Sequence, residues 1–372
     1  MEKKVKILKK PMAATLLAIF FGFVVATVIL AASGYHPFEA FGALLSGIFG
    51  RPKYISNVII KSTPIILTGV SVAFAYKMGL FNIGAEGQFI VGAVAANIVG
   101  IVCDFPAIIE IPLVLLVGAA AGALYGGISG WLKAKYHINE VIIGIMLNWI
   151  ALYLSNFVCN IDRFHKPDSD GTYAIHESGF ISFFTNWKTT EAAADFVRNN
   201  PIIGDILRTD ANAGILLAIG LTFAVSFLLY KTTKGYELRA VGSNRDAAEF
   251  AGINVGKNMV QTMLIAGALS GIAAAISIAG NNPHGISQLS AFESNGLNGL
   301  SVAFIAGGSP VGCIFAGLLF GGLLYGGQSI QYMVGAPSEI INILIGTIVF
   351  LIALKDMVPV LVEKMWKRGA KS

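Results

Sequence analysis

The chain has 372 residues, of which 55% are hydrophobic and only 13% are charged, with a formal net charge of +5. Soluble domains carry about 25% charged residues, so this composition excludes an ordinary soluble protein and indicates a protein of the lipid bilayer.

Ten apolar segments are long enough to cross the bilayer as helices. A crossing needs about 20 residues, because every backbone polar group must be satisfied within the segment. The eighth segment is the most polar, since Glu293, Asn295 and Asn298 lie in its first half. The sequence therefore predicts an all-α polytopic membrane protein with about ten transmembrane helices. The predicted spans are 11–32, 55–76, 82–102, 111–131, 139–160, 211–230, 258–280, 288–306, 311–330 and 338–354.

The basic residues predict the orientation, since Lys and Arg are retained on the cytoplasmic side. With the amino terminus inside, most of the 26 Lys and Arg residues fall in the cytosol. We therefore expect both termini to be cytoplasmic and the loop 161–210 to be extracytoplasmic. The positive net charge follows from this topology, so no nucleic acid partner is predicted.

The outer loop 161–210 contains one predicted helix. Thr190 can cap its start and Pro201 can end it, because a threonine hydroxyl accepts the free N–H groups at a helix start. Two interpretations of the loop stay open. It is either a solvated connector or part of a landing surface for an extracytoplasmic solute-binding protein.

Two distant regions of the sequence resemble each other. LYGG at 124–127 is followed by Glu140 and an apolar helix, and LYGG at 324–327 is followed by Glu339 and another apolar helix. The basic residues give the two copies opposite orientations. The pattern predicts an inverted-repeat core, which in transporters places a pathway between two halves that move against each other.

The segment 231–257 is the one densely charged stretch between apolar segments, and we expect it in the cytosol. Ser243 and Asp246 have the spacing of a capping box, and Gly252 suits the left-handed position after a helix. These residues predict a short helix over 244–251. Such a helix is unstable alone in water, so it needs support from the protein or from a partner. The alternative interpretation is a charged linker lying on lipid headgroups.

Three motifs resemble one known family. The segment 235–253, GYELRAVGSNRDAAEFAGI, resembles the cytoplasmic coupling loop of ABC importer permeases of the branched-chain amino acid, ribose and nucleoside class. FNIGAEGQFIVGA at 81–93 and NEVIIGIMLNWIALYL at 139–154 resemble further motifs of that class, especially of its simple-sugar and nucleoside permeases. The resemblance implies a single permease domain over 1–372 in a bacterial cytoplasmic (inner) membrane.

The resemblance also implies partners. A second permease subunit, identical or homologous, would complete the membrane core, and a lipoprotein or periplasmic solute-binding protein would deliver the solute. Two cytosolic ATPase domains would use ATP and Mg, whereas this chain would bind no cofactor itself. By this resemblance, the residues that couple to the ATPase are Ser243, Asn244, Arg245, Asp246, Ala247, Ala248, Glu249 and Gly252.

Glu86 is the most specific candidate for the solute pathway. An ionised carboxylate at bilayer depth costs about 2.5 to 3.5 kcal/mol, so it should face protein or water and be partnered. It either packs near the cytosolic interface or helps to shape the pathway. Amides on the predicted spans likewise either bond neighbouring helices or line a path for hydroxylated solutes and nucleobases. The candidate pathway residues are Asn82, Glu86, Gln88, Asn148, Trp149, Asn298 and Phe304.

The sequence contains no Walker A, HExxH or GxSxG motif, so no catalytic residue is predicted. The three cysteines lack the spacing of a metal site, and no metal is predicted. The predicted function is the membrane-spanning permease subunit of an ATP-binding-cassette importer for nucleosides or related simple sugars. The alternatives are an ion-coupled secondary transporter of a small polar solute and a passive channel.

Overall fold

The computed structural model describes residues 11–183 and 187–354. The regular structure of these residues is helical, with fifteen α-helices and two short 3-10 turns, Glu177–Gly179 and Trp187–Thr189. The chain divides into two compact units, one formed by Met1–Tyr54 with Gly322–Ser372 and the other by Ile55–Gly321. The predicted class, an all-α polytopic membrane protein, is confirmed.

The helices follow one another along the chain from Pro11 to Ala353. They are α1 Pro11–Ala32, α2 Pro37–Phe49, α3 Pro52–Lys77, α4 Ala85–Val102, α5 Ala107–Tyr136, α6 Glu140–Cys159, α7 Glu191–Asn199, α8 Pro201–Leu207, α9 Gly214–Lys231, α10 Thr233–Ser243, α11 Arg245–Phe250, α12 Val255–Gly280, α13 Asn295–Ile305, α14 Pro310–Val334 and α15 Ser338–Ala353.

Seven helices of the described ranges are long and apolar enough to cross a membrane, namely α3, α4, α5, α6, α9, α12 and α14. The helices α1 and α15 coincide with the first and tenth predicted spans, and they pack against each other where Gly22 meets Ile348. The helix α2 was not predicted. Its 13 residues are too few for a span, although Pro37 and Glu39 in its first turn are typical helix-start signals.

The eighth predicted span, 288–306, is wrong as a continuous helix. Only the 11 residues of α13 are helical, and residues 281–294 before them form no helix. Eleven residues rise about 16 Å, which is about half of the hydrocarbon core. The physical reason is that the backbone groups of 281–294 bond to side chains and loops elsewhere in the chain instead of closing helical turns.

The core of the Ile55–Gly321 unit is the contact of α4, α5 and α12. Gly271 of α12 lies against Gly92 of α4 and Gly118 of α5, and a Cβ on Gly92 would come 2.6 Å from the Gly271 Cα. Small residues let these backbones approach closely, which membrane helices need because lipid gives them no hydrophobic drive to associate. Helix α6 packs on α4 beside this contact. These four helices form the scaffold of the site.

The segment 161–210 has local order that the sequence predicted in part. The Thr190 hydroxyl caps α7 by accepting the Ala193 N–H at 3.3 Å, as predicted. Pro201 follows the end of α7 and also begins α8. A small antiparallel arrangement, with bridges from His165 to Thr172 and from Gly171 to Ser287, was not predicted.

Candidate functional site

The carboxylate of Glu86 caps the amino terminus of α13. Glu86 is fully buried in the first turn of α4. Its two oxygens accept the backbone N–H groups of Ser294 at 3.0 Å, Gly296 at 2.6 Å and Leu297 at 3.1 Å. A helix start leaves N–H groups unpaired and carries a partial positive charge, so a carboxylate there is stabilised. Glu86 therefore ties the start of α4 to the start of α13.

Three buried amides hold the turn that leads into α4. Asn82 and Gln88 exchange two hydrogen bonds between their amide groups, both at 3.0 Å. Asn148 of α6 accepts the Gly87 N–H at 2.7 Å and donates to the Ile83 carbonyl at 3.1 Å. The structure thus uses the predicted pathway amides Asn82, Gln88 and Asn148 to fix the start of α4, where Glu86 lies.

The segment 281–294 is held in place by side chains from other elements. The Ile286 N–H donates to the Thr172 hydroxyl at 3.2 Å. The Asn156 amide on α6 accepts the Leu289 N–H and donates to the Leu289 carbonyl, both at 2.8 Å. These bonds satisfy backbone groups that a helix would otherwise satisfy internally, which explains how an irregular segment persists between α12 and α13.

His284 lies in the same segment and is buried. Its ring stacks on Phe180 with centroids 3.7 Å apart, and its Nδ1 lies 2.9 Å from the Ile278 carbonyl oxygen. Burial lowers the pKa of the His284 imidazole below its usual range, and the Ile278 carbonyl and the Asp210 carboxylate oppose this only in part. The ring is therefore neutral at neutral pH.

A cavity of about 210 Å³ lies between the segment 281–294 and the helices α3, α4, α6 and α12. Glu86 borders it, and Phe89 and Ile90 of α4 give it an apolar side. Such a mixture of apolar walls and a few polar groups is typical of small-molecule sites. Besides Glu86, the residues with polar side chains on its walls are Lys61, Ser155, Ser277, Asn281, Asn282, Ser287, Glu293 and Asn295.

Three aromatic rings contact one another at the far end of α13 from Glu86. Phe81 and Phe304 stack with ring centroids 5.7 Å apart, and Tyr76 meets Phe304 edge-on at 6.3 Å. The predicted pathway residue Phe304 is thus packed against other rings of the protein. The rings join the end of α3, the turn before α4 and the end of α13.

The helix α11 has a different cap from the one predicted. The Asn244 side chain accepts the Ala247 N–H at 3.0 Å and is the cap. The capping box that began with Ser243 is wrong, because Ser243 is the last residue of α10, a helix that the sequence interpretation missed. Gly252 has a φ of 83°, in agreement with the left-handed position predicted after the helix.

The predicted coupling residues form one exposed surface. Arg245, Asp246 and Glu249 are exposed, as are Asn244 and Ala247, whereas Ala248 is buried against the protein. Phe250, at the end of α11, was not among the predicted residues and is 96% exposed. Aromatic and arginine side chains are enriched at protein interfaces, so this surface has the composition of a partner-binding site.

The helix α10 connects this surface to the turn between α3 and α4. A Cβ on Gly242 would come 2.9 Å from the Met78 Cα, so only glycine fits the observed approach. Gly79 in that turn has a φ of 76°, which favours glycine. The turn leads directly to Asn82 and Glu86. The surface of α11 and the cap of α13 are therefore linked by a short run of packed backbone.

A comparison with protein families decides the class of the chain. Residues 54–354 match the family described as branched-chain amino acid transport system / permease component. The chain belongs to this family of transport permeases. The resemblance found in the three sequence motifs is confirmed.

Several characterised permeases are similar to this permease. The guanosine ABC transporter permease protein NupP of Bacillus subtilis is 38% identical over 355 residues, which cover 95% of this chain and 97% of NupP. The nucleoside ABC transporter permease protein NupB of Lactococcus lactis is 34% identical, over 94% and 92% of the two chains. The glucose ABC transporter permease protein TsgB13 of Haloferax volcanii is 29% identical, over 88% and 83%. No solved structure matches the permease.

Other predicted pathway residues of the permease lie apart from the cavity walls. Trp149 packs against Phe292, with ring centroids 4.7 Å apart, and Asn298 is half-buried within α13. The sequence interpretation missed the segment 281–289 as a wall of the cavity. The signal for it was present, because Pro283 precedes the eighth apolar segment and Glu293 and Asn295 make the first half of that segment polar.

Proposed function

We propose that the chain is the membrane-spanning permease subunit of an ATP-binding-cassette importer that moves nucleosides or related simple sugars by alternating access. Its family membership and the names of its relatives support the substrate class. The observation that carries the energy coupling is the exposed, capped helix α11 with Phe250 at its end. Partner ATPase subunits supply the energy, and this chain binds no ATP and no Mg itself.

The ATPase grips the surface formed by Ser243, Asn244, Arg245, Asp246, Ala247, Ala248, Glu249 and Gly252, to which we add Phe250. Closure of the ATPase moves α11 and α10 together. Because Gly242 packs on Met78, that movement reaches the turn before α4. Glu86 then transmits this movement to α13, whose first residue borders the cavity.

The solute passes through the cavity beside segment 281–294. Of the pathway residues predicted from sequence, Glu86 borders this cavity, whereas Asn82, Gln88 and Asn148 hold the turn next to it. Trp149, Asn298 and Phe304 act on the path through the packing of segment 281–305. Polar groups of both hydrogen-bonding kinds on an otherwise apolar wall suit uncharged hydroxylated solutes.

The assembly follows the organisation of an importer. The chain forms one permease domain over 1–372, in which the spanning helices are joined by the half-length α13, with an inverted-repeat core and both termini in the cytoplasm. The segment 231–257 is its coupling loop, and 161–210 is an extracytoplasmic loop that meets a solute-binding protein or lipoprotein. A second permease subunit, homologous or identical, and two ATPase domains complete the transporter in the bacterial cytoplasmic (inner) membrane. The distribution of basic residues and the exposed α11 support this topology.

A secondary transporter is the competing function, and Glu86 would be its natural proton carrier. The geometry at Glu86 argues against this role. All three of its backbone donors approach within 3.1 Å, and protonation would weaken a charge-assisted cap that holds α13. A carrier without an ATPase would also not need the exposed helix α11 as a binding surface for a partner.

Co-purification and uptake test the proposal. Mild-detergent extracts should contain an ATP-binding subunit bound to the permease, and the double variant Arg245→Ala/Asp246→Ala should lose at least tenfold in ATP-dependent uptake. The control is Glu39→Ala, which removes an exposed charge from α2, outside both 161–210 and 231–257. Full uptake by the permease alone in ATP-free vesicles would refute the proposal.

A further inference from the structure

Residues 286–288 form a short strand-like segment, called the strand below, with one paired edge. The Gln288 N–H donates to the Asp170 carbonyl at 2.8 Å, and the Thr172 N–H donates to the Ile286 carbonyl at 2.9 Å. These two bonds flank the bridge between Gly171 and Ser287. Along this edge the strand is therefore paired with the loop at 170–172.

The backbone N–H and C=O groups of the odd-numbered residues point to the opposite edge of the strand. In an antiparallel pair, residues opposite each other alternate between those that exchange hydrogen bonds and those that point away from the partner. Gly171 and Ser287 form a pair of the second kind, because the bonds lie on the residues next to them. The N–H and C=O of Ser287 therefore point away from the loop 170–172.

The protein itself shows what kind of group binds this free edge. At Leu289, two residues further along, the Asn156 amide accepts the backbone N–H and donates to the backbone carbonyl, both at 2.8 Å. A planar group with an acceptor and a donor side by side thus satisfies both the N–H and the C=O of one residue on this edge. At Ser287, no residue of the ranges 11–183 and 187–354 occupies the equivalent position.

Ser287 borders the cavity, together with Phe89 and Ile90. We propose that the free backbone edge at Ser287 binds the solute, and that it selects uncharged compounds with an adjacent hydrogen-bond donor and acceptor, such as the lactam edge of a nucleobase. The lactam N–H and C=O of guanine or uracil have the same arrangement as the Asn156 amide. This assignment rests on the proposed function and deepens it, because it favours nucleosides over sugars.

Recognition through the main chain has a consequence for selectivity. The backbone recognises only the donor and acceptor pattern of the base, while the apolar faces of the base meet the wall at Phe89 and Ile90. Several nucleosides with a lactam edge should therefore bind alike. A nucleoside whose lactam nitrogen is methylated lacks the donor and should bind less well.

The test uses the complete transporter with guanosine and 1-methylguanosine as probes. Binding is measured in lipid nanodiscs by saturation-transfer NMR, and ATP-driven uptake is measured in sealed proteoliposomes. The variant Ser287→Pro removes the N–H of the free edge. Proline is tolerated there because that N–H takes no part in the pairing with residues 170–172. Ser287→Ala is the matched control, since it removes the hydroxyl and keeps the N–H.

We expect Ser287→Pro to weaken guanosine binding about tenfold, the effect of losing a hydrogen bond of about 1.4 kcal/mol. Binding of 1-methylguanosine should not weaken further, and Ser287→Pro should bind guanosine about tenfold more weakly than Ser287→Ala, which separates the N–H from the hydroxyl. Unchanged guanosine binding by folded Ser287→Pro would overturn the assignment. If that variant does not fold, equal affinity of the original chain for the two nucleosides overturns it instead. Absence of ATP-driven uptake of both nucleosides and simple sugars by the complete transporter would refute the proposed function itself, which is a separate outcome.

Discussion

Gly242, next to the last residue of α10, lies so close to Met78 that a Cβ on Gly242 would come 2.9 Å from the Met78 Cα. This is a contact between α10 and the turn that leads to Glu86. The exposed helix α11 follows directly after α10, so this contact offers a route from the proposed coupling surface to Glu86.

Replacement of Gly242 by alanine should therefore impair coupling. The added methyl group must displace the α3–α4 turn, and overpacking of this kind costs about 1 to 3 kcal/mol. We expect Gly242→Ala to reduce ATP-driven uptake at least tenfold while the ATPase still binds, as measured by transport and co-purification. Gly220→Ala on α9 is the control, because nothing lies within 4 Å of its added methyl group. Equal uptake by the two variants would show that the contact does not transmit motion.

The cap of α11 gives a second prediction, which separates Asn244 from Ser243. Loss of a capping side chain costs about 1 kcal/mol, enough to fray a six-residue helix that Ala248 alone anchors. Asn244→Ala should therefore reduce the ATP-driven uptake rate severalfold. Ser243→Ala should reduce it less, because that residue ends α10 and does not cap α11, so the variant loses only a side-chain contact with the ATPase. A larger loss in Ser243→Ala than in Asn244→Ala would contradict the observed cap.

The third prediction concerns Glu86. In Glu86→Gln an amide NH₂ replaces one oxygen and faces the N–H groups of α13, which leaves at least one buried donor unsatisfied. Such a group costs about 1 to 3 kcal/mol, so the thermal unfolding midpoint should fall and uptake should be lost. Glu293→Gln changes a neighbouring but exposed carboxylate and should unfold like the original chain. An unchanged midpoint for Glu86→Gln would mean that the cap does not stabilise the protein.

His284 predicts a dependence of stability on pH. Burial lowers the pKa of its imidazole in the folded state, so folding favours the neutral ring. The stabilisation is fully present above the unfolded pKa of about 6.5 and is lost as the pH falls through the lower, folded value. His284→Gln keeps a donor for the Ile278 carbonyl without a titrating group. Its unfolding midpoint should fall less between pH 7.5 and pH 5 than that of the original chain, and parallel curves would rule out this role of His284.

Much of the fold follows from local patterns. Apolar length predicted nine of the helices close to their observed positions, because a segment in lipid has few options other than a helix. The cap at Thr190 and the left-handed Gly252 followed from single-residue stereochemistry. The cap of α11 was assigned one residue too early, because Ser243 and Asn244 are both good caps and only the end of α10 decides between them.

The amino-acid sequence by itself determined that this is a multi-span membrane permease, that α11 is an exposed polar helix, and that Glu86 needs a partner. Only the tertiary structure decided that the partner is the start of α13, that 281–294 is not helical, and that its strand edge borders a cavity. The reason is physical. Helix length and capping depend on neighbours in the chain, whereas these contacts join residues that are some 130 to 210 positions apart and exist only once the helices have packed.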